Sequence, residues 1–278
     1  MQLVLGRRSY DLTHQALVMA ILNRTPDSFY DRGAYWDLGR FHQRAAELVA
    51  AGADILDVGG VKAGPGPEVT EQEELDRVVP AVAALVDRLD VPVSVDTWRA
   101  AVAAEAFAAG AVMGNDISGF ADPSYLPAAA AAGAAVVATH IRLAPRVRDP
   151  EPCYDDVVED VAEFLSERVR RALAAGVSLE RIVVDAGLDL GKTTPQSLAL
   201  LAGSARLAAL GVPLLLSASN KGFLGERFGL DIAERREATV AAHAVGVSLG
   251  CRIVRAHDVT AARRVVDTLA AVSSAAPG

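Results

Sequence analysis

The sequence predicts a (β/α)8 TIM barrel, and three observations lead to that fold class. Short apolar runs alternate with longer amphipathic stretches eight times along the chain. Most of the amphipathic stretches end at a glycine, which is a common stop signal for a helix. The length of 278 residues also suits a single barrel, which commonly takes about 250 residues. An open, doubly wound sheet is the alternative that the same pattern allows.

The first elements of the pattern are a hairpin and four strand–helix units. Residues 2–11 predict a β-hairpin with its turn at Gly6, which would plug the bottom of the barrel. Residues 16–22 form a continuous apolar run, as expected for a strand that is buried on both faces. Thr70 and Glu73 have the spacing of a capping box at the start of the second helix. The predicted strands are 16–22, 54–58, 92–95 and 111–114, and the predicted helices are 38–51, 71–89, 98–109 and 123–132.

The second half of the chain repeats the same unit four more times. Seven of the eight helices fit right-handed crossovers between parallel strands, and the eighth would close the ring. The predicted strands are 134–139, 181–185, 213–217 and 252–255, and the predicted helices are 154–175, 194–210, 231–249 and 258–272.

The composition excludes several classes of protein. The chain has 27 basic and 35 acidic residues, a formal charge of -8, and no basic stripe that would replace the counterions of a nucleic acid. Its two cysteines, Cys153 and Cys251, are far apart, which excludes a disulfide scaffold and a paired-cysteine zinc motif. No run of 18 apolar residues occurs, and the N-terminus lacks the pattern of a secretory signal. We therefore expect one cytoplasmic domain over residues 1–278 that binds neither nucleic acid nor membrane.

Polar residues follow nearly every predicted strand, at the end where a barrel does its chemistry. Each of them taken alone fits a helix cap or a loop residue. Taken together, the carboxylates and amides would line one pocket that suits a flat heterocycle rich in N–H donors, such as a pterin. Lys221, Arg255 and His257 would add a cationic wall suited to phosphate. The polar residues at the strand ends include Asn23, Asp57, Asp96, Asn115, Asp185, Ser217, Ser219, Lys221, Arg255 and His257.

Seven short motifs, in the same order along the chain, resemble those of dihydropteroate synthase, a family of pterin-binding (β/α)8 enzymes. The likeness covers nearly the whole chain. The motifs are ILNRTPDSF at 21–29, GADILDVGG at 52–60, SVDT at 94–97, NDI at 115–117, LGK at 190–192, SNK at 219–221 and RAHDV at 255–259.

The resemblance implies a reaction and a set of ligands. Enzymes of this family join 6-hydroxymethyl-7,8-dihydropterin diphosphate to 4-aminobenzoate and release diphosphate with the help of Mg²⁺. The carboxylates of Asp96 and Asp185 would stabilise a pterin-methyl cation through the N–H groups of the ring, and Lys221 and Arg255 would complete the catalytic group. The implied contacts are Asp96, Asn115, Ile117, Asp185, Ser217 and Lys221 for the pterin, Asn23, Arg255 and His257 for the diphosphate, Asn23 for magnesium, and Ser219 for the aminobenzoate.

The departures from the family pattern lie mainly on the side of the second substrate. The first and second loops, at 23–33 and 59–66, are long enough to be lids. Asp27 and Asp31 in the first loop are candidates for ordering the lid or reaching the metal. Arg24 and Lys62 are additional cations that would partly compensate for two arginines that are missing. The replaced positions are Ala63 for Thr, Gly64 for Arg, Asp189 for Gly, Leu190 for Phe, Ser217 for Gly and Asn220 for Arg.

Three functional classes follow from these matches and departures. The first is a dihydropteroate synthase-type transferase with weak ordinary activity or a different nucleophile. The second is an inactive pterin-binding paralogue with a binding or regulatory role. The third is another pterin-dependent barrel, such as a methyltetrahydrofolate–corrinoid methyltransferase, which fits the TPDSF loop less well. The resemblance also implies a homodimer, for which the Ala- and Val-rich stretches 239–249 and 261–272 supply an apolar seam.

Overall fold

A computed structural model describes residues 1–24 and 38–275 of the chain. Within these ranges, eight parallel strands close into a barrel, and a two-stranded hairpin precedes it. The strands are β1 (Gln2–Leu5), β2 (Arg8–Asp11), β3 (Leu17–Asn23), β4 (Ile55–Gly59), β5 (Val93–Asp96), β6 (Met113–Asp116), β7 (Ala135–Thr139), β8 (Ile182–Asp185), β9 (Leu214–Leu216) and β10 (Cys251–Ala256). The helices are α1 (Leu38–Ala50), α2 (Glu71–Arg88), α3 (Ala100–Ala108), α4 (Tyr125–Ala132), α5 (Val157–Ala174), α6 (Thr194–Ala202), α7 (Ser204–Ala208), α8 (Gly222–Phe228), α9 (Arg236–Ser248) and α10 (Val259–Ala275).

The last strand closes the ring and decides between the two predicted architectures. Strand β10 pairs in parallel with both β9 and β3, and Val254 lies opposite Val18 in the second of these ladders. An open doubly wound sheet would leave two edge strands, whereas these pairings leave none in the barrel. The (β/α)8 prediction is therefore confirmed.

The N-terminal hairpin covers the bottom of the barrel, as the sequence predicts. Strands β1 and β2 pair in antiparallel register around Gly6, whose positive φ of 58° suits glycine. Leu3 and Leu5 of the hairpin are buried together with barrel residues such as Met19 and Met113. Because the side chains of a strand alternate, neighbouring residues of the barrel strands point outward into a second apolar cluster against the helices.

Most of the predicted helix boundaries hold to within a few residues. The capping box at the start of α2 is present: the Glu73 N–H donates to Thr70 Oγ1 at 3.2 Å, and the Thr70 N–H donates to Glu73 Oε2 at 3.1 Å. Helix α5 begins later than predicted because Asp156 caps it, accepting the N–H groups of Val158 and Glu159.

Two predicted helices of the second half differ from the structure. The stretch predicted as 194–210 is divided into α6 and α7 at Gly203, where an added Cβ would lie 2.8 Å from Val158 Cγ2. The stretch predicted to be helical from residue 231 becomes α9 only at Arg236, and the separate helix α8 precedes it. Helix α8 was missed because it is short and ends at Gly229 in the left-handed conformation.

Two other expectations concern the acidic residues of the first loop and the absence of a membrane-spanning segment. Asp27 and Asp31, the acidic candidates of the first loop, lie outside the described residues. None of the helices within the described ranges is long and apolar enough to cross a membrane.

Candidate active site

The strand ends bring the predicted site residues to one rim of the barrel. The ladders place Asn23 opposite Gly59, Gly59 opposite Asp96, and Asp96 opposite Asn115, so these residues of four neighbouring strands form one row. Asp185 ends β8 further around the ring. The convergence at the C-terminal ends of the strands is therefore as the barrel rule predicts.

A cluster of an arginine and two carboxylates lies at the centre of this rim. Arg255 Nε donates to Asp57 Oδ2 at 2.7 Å, and an Nη of Arg255 donates to Asp96 Oδ2, also at 2.7 Å. Asn115 Nδ2 donates to the same oxygen of Asp57 at 3.0 Å. Asp57 is fully buried, and its Oδ1 atom has no hydrogen-bond partner in the part of the chain that the structure describes. One buried carboxylate thus orients both the amide and the guanidinium.

Burial and the neighbouring charges together raise the pKa values of both Asp96 and Arg255. Burial raises the pKa of Asp96 to about 7, although Arg255 lowers that pKa and Asp57 adds to the rise. Burial opposes the charge of Arg255, but Asp57 and Asp96 outweigh it and raise the arginine pKa. The guanidinium therefore stays charged, while Asp96 titrates close to neutral pH.

Asp185 and Lys221 form the second charged part of the rim. Asp185 Oδ1 accepts the N–H of Gly187 at 2.8 Å, and Lys221 Nζ donates to the Leu188 carbonyl at 2.6 Å. Burial raises the pKa of Asp185 against the effect of Lys221, and burial lowers the pKa of Lys221 against the effect of Asp185. Gly187 has a φ of 64°, and an added Cβ would collide with the carbonyl oxygen of His140, so only glycine fits this turn.

Lys192 supports the turn after β8 instead of facing a phosphate. Its Nζ atom donates to the carbonyls of Gly187 at 2.9 Å and Leu190 at 3.0 Å, and it lies 2.8 Å from His140 Nδ1. Burial lowers the pKa of Lys192 to about 7.

Ser219 is in contact with His257, which follows Arg255 by two residues in the chain. Ser219 Oγ lies 2.9 Å from His257 Nδ1 and accepts the His257 N–H at 3.2 Å. Burial, followed by the neighbouring charge of Arg255, lowers the pKa of His257 to about 4. The imidazole is therefore neutral at pH 7, and the positive charge of the predicted wall comes from Arg255 and Lys221.

The remaining predicted contacts line the same end of the barrel. Ile117 is 7% exposed yet belongs to neither apolar cluster of the core, as a residue that faces the mouth should. Ser217 follows β9 and is buried. Asn23 Oδ1 lies 2.9 Å from the position of a Cβ at Gly59, so the absence of a side chain there leaves room for the amide.

The second loop and the segment after it are bonded to neighbouring loops, and one added cation is bonded to α2. The Ala63 carbonyl accepts the Arg146 N–H at 3.1 Å, and the Val69 carbonyl accepts an Nη of Arg99 at 2.7 Å. Arg24 donates an Nη to the Arg77 carbonyl of α2 at 2.7 Å. At least one Nη of this guanidinium is thus engaged by the backbone of α2.

Two residues matter more in the structure than the sequence suggests. Asp57 was noted only as a polar residue of its strand, although a carboxylate inside an apolar run is the signal for a buried polar network. Asp189 was noted only as a departure. Its φ is 67°, and its carboxylate oxygens each lie 3.3 Å from the Phe223 amide nitrogen, which donates to them. No sequence pattern pairs these two segments.

The comparisons with known proteins agree with this geometry. The family model of pterin binding enzymes matches residues 19–257. The chain is 44% identical over 267 residues to the inactive dihydropteroate synthase 2 of Mycobacterium leprae, covering 94% of this chain and 92% of that protein. It is 40% identical over 260 residues to the dihydropteroate synthase of Bacillus subtilis, covering 93% and 89%. The Yersinia pestis dihydropteroate synthase structure with a sulfonamide drug superposes with a TM-score of 0.94 at 38% identity, covering 99% of this chain and 100% of that one.

These matches assign the chain to a class of barrel proteins and to one family within it. The closed barrel and the family match over residues 19–257 place the chain in the class of pterin-binding (β/α)8 proteins. The chain belongs to the dihydropteroate synthase family.

Proposed function

We propose that the protein binds 6-hydroxymethyl-7,8-dihydropterin diphosphate at the rim of the barrel and transfers its pterin-methyl group to an arylamine. In this proposal ordinary dihydropteroate synthesis with 4-aminobenzoate is weak. The observation that carries it is the buried Asp57–Arg255–Asp96 cluster, to which Asn115 is hydrogen-bonded. Burying several charged groups together costs stability, so their concentration at one site indicates a functional role.

The ring of the pterin would be recognised by hydrogen-bond acceptors at the rim. Asp185 and Asp96 would accept its N–H groups, Asn115 would pair with its amide-like edge, and Ile117 would pack on its face. A carboxylate that gains such donors favours its charged form. Substrate binding would therefore lower the pKa of Asp96 from about 7.

The transfer would break one bond and form one bond. The C–O bond between the pterin methylene and the diphosphate breaks, and its electron pair leaves on the diphosphate. The nitrogen lone pair of the arylamine forms the new C–N bond, and one N–H proton passes to the diphosphate or to water. Asp96 and Asp185 would stabilise positive charge that develops on the pterin, while Arg255 and Lys221 would hold the departing oxygen atoms.

Magnesium fits this proposal only as an ion carried largely by the diphosphate. Among residues 1–24 and 38–275, no group of three or more His, Cys, Asp or Glu side chains could hold a metal. Mg²⁺ needs few protein ligands because it keeps several waters. Asn23, which ends β3 at the rim, would supply one ligand through its side-chain oxygen, and the ion would neutralise the leaving group.

The second candidate function is a pterin-binding protein without turnover. Specific observations support it: Gly64 and Asn220 replace two arginines of the family pattern, and Arg24 is held by the carbonyls of α2. The similarity to an inactive synthase from Mycobacterium leprae points the same way. A homodimer through α9 and α10 and a cytoplasmic location remain predictions from the sequence.

The release of diphosphate distinguishes the two candidates. We expect the wild-type protein, incubated with the pterin diphosphate, Mg²⁺ and 4-aminobenzoate, to release diphosphate at least about 100-fold more slowly than the double variant Gly64→Arg/Asn220→Arg, because each restored cation is worth roughly tenfold or more. A phosphate-coupled assay follows the rate, and Ala131→Arg, at an exposed position on α4, is the matched control. Equal rates for wild type and double variant would contradict the assignment of the defect to the second-substrate side.

A further inference from the structure

Asp189 joins the two segments that would flank a second substrate. Its carboxylate, on the turn after β8, accepts the N–H of Phe223, and Ser197 Oγ lies 3.4 Å from one of its oxygens. Lys221 Nζ bonds the Leu188 carbonyl across the same junction. In the proposed function an arylamine would lie near Leu190 and Ser219. Asp189 precedes Leu190 in the chain, and its carboxylate bonds the start of α8 at Phe223, four residues after Ser219, so Asp189 lies at the junction of these two segments.

The backbone at Asp189 is in the left-handed region, with a φ of 67°. Glycine, asparagine and aspartate are the residues that adopt this conformation most readily. Glycine is the residue that the family pattern has at this position. The carboxylate is partly exposed, and its charge favours the protonated forms of both Lys192 and Lys221. It therefore offsets positive charge that an anionic ligand would otherwise meet.

Two further departures change the local charge in the same direction. Relative to the family pattern, Gly64 and Asn220 each remove an arginine, and Asp189 adds a carboxylate. The chain carries two additional cations: Arg24 donates to the backbone of α2, and Lys62 lies in the second loop. Neither restores a guanidinium at the two replaced positions. All three substitutions make the second-substrate side less favourable for a carboxylate.

We propose that Asp189 makes the second-substrate position select an uncharged arylamine over an anionic one. This inference rests on the proposed function, because it concerns the partner of a bound pterin. The transfer itself needs only a nitrogen lone pair and a proton to lose, so a carboxylate on the arene is a recognition element and not a chemical requirement. An arylamine without a carboxylate is not repelled by the negative charge of Asp189.

Two amines of the same shape test the inference. The protein is saturated with 6-hydroxymethyl-7,8-dihydropterin, diphosphate and Mg²⁺, a mixture that cannot react, and titrated by calorimetry with 4-aminobenzamide or with 4-aminobenzoate. The wild type is expected to bind the amide more tightly. In Asp189→Asn and Asp189→Gly the preference should shift toward the benzoate by about tenfold, the effect of one charge roughly 10 Å away at an effective dielectric constant of about 20.

The variants are chosen to keep the fold. Asparagine and glycine both tolerate a positive φ, and asparagine retains an acceptor for the Phe223 N–H. Asp156→Asn, at the carboxylate that caps α5, is the matched control and should leave the preference unchanged.

The possible binding results separate failure of this inference from failure of the proposed function. The inference is overturned if the wild type prefers 4-aminobenzoate, if both Asp189 variants keep the wild-type ratio, or if the pterin binds and neither amine does. These results leave pterin binding intact. Failure of the pterin itself to bind overturns the proposed function and, with it, the inference.

Discussion

Replacing Arg255 with methionine is expected to lower the free energy of unfolding by about 3–5 kcal/mol at pH 7, because breaking a buried ion pair leaves an uncompensated charge. Arg255 contacts both Asp57, which is fully buried, and Asp96. Its removal leaves two carboxylates close together without their cation. Chemical denaturation followed by circular dichroism measures the change.

The pH dependence of this loss has a definite sign. In the wild type the folded pKa of Asp96, about 7, lies above its ordinary value of 3.8, so its stabilising contribution is present below pH 4 and is lost as the pH rises through 7. Without Arg255 that pKa rises further, so the deficit of Arg255→Met is smaller below pH 7, where Asp96 is protonated in both proteins, and grows as the pH rises through 7.

Arg236→Met is the matched control for this prediction. Arg236 also pairs with two carboxylates, those of Glu237 and Asp258, but at an exposed position at the start of α9. Exposed pairs contribute little, so we expect a loss of about 1 kcal/mol or less. Equal losses for both arginine variants, or a deficit of Arg255→Met that grows as the pH falls, would contradict the account.

Asp185→Asn is expected to weaken pterin binding by roughly 10- to 100-fold, the worth of a hydrogen bond to a charged group. The amide keeps an oxygen that accepts the Gly187 N–H, so the fold should hold. It replaces the other acceptor with a donor, which opposes the N–H groups of the ring. Fluorescence titration with 6-hydroxymethyl-7,8-dihydropterin diphosphate measures the affinity.

Asp116→Asn separates this effect from a general loss of stability. Asp116 is also buried, but its carboxylate accepts the N–H groups of Ser118 and Phe120 in the turn after β6. Its replacement should lower the melting temperature and leave the pterin affinity unchanged. A wild-type affinity in Asp185→Asn would remove this carboxylate from the pterin site.

The barrel and the location of the site could be predicted from the sequence because both depend on local patterns. Apolar runs, glycine stops and polar strand ends are each read from a few adjacent residues, and the barrel then brings the strand ends together. Ser219 and His257, for example, were expected at the same rim and lie in contact. The resemblance supplied the roles, which the patterns alone did not.

The pairings within the site could not be predicted, because they join distant parts of the chain. Arg255 and Asp57 are 198 residues apart, and no local pattern states that the arginine points inward to that carboxylate. Arg24 shows the reverse case: the sequence offers a cation at the mouth, but carbonyls within α2 accept hydrogen bonds from its guanidinium. The charge state of His257 likewise depends on its burial in the assembled barrel.

The central claim is that the pterin half of the site is intact while the second-substrate half is altered. Its most direct test is a calorimetric titration of the wild-type protein with 6-hydroxymethyl-7,8-dihydropterin diphosphate and Mg²⁺. The account predicts saturable binding at one site per chain, without need of 4-aminobenzoate. A folded protein that gives no binding of this ligand would contradict it.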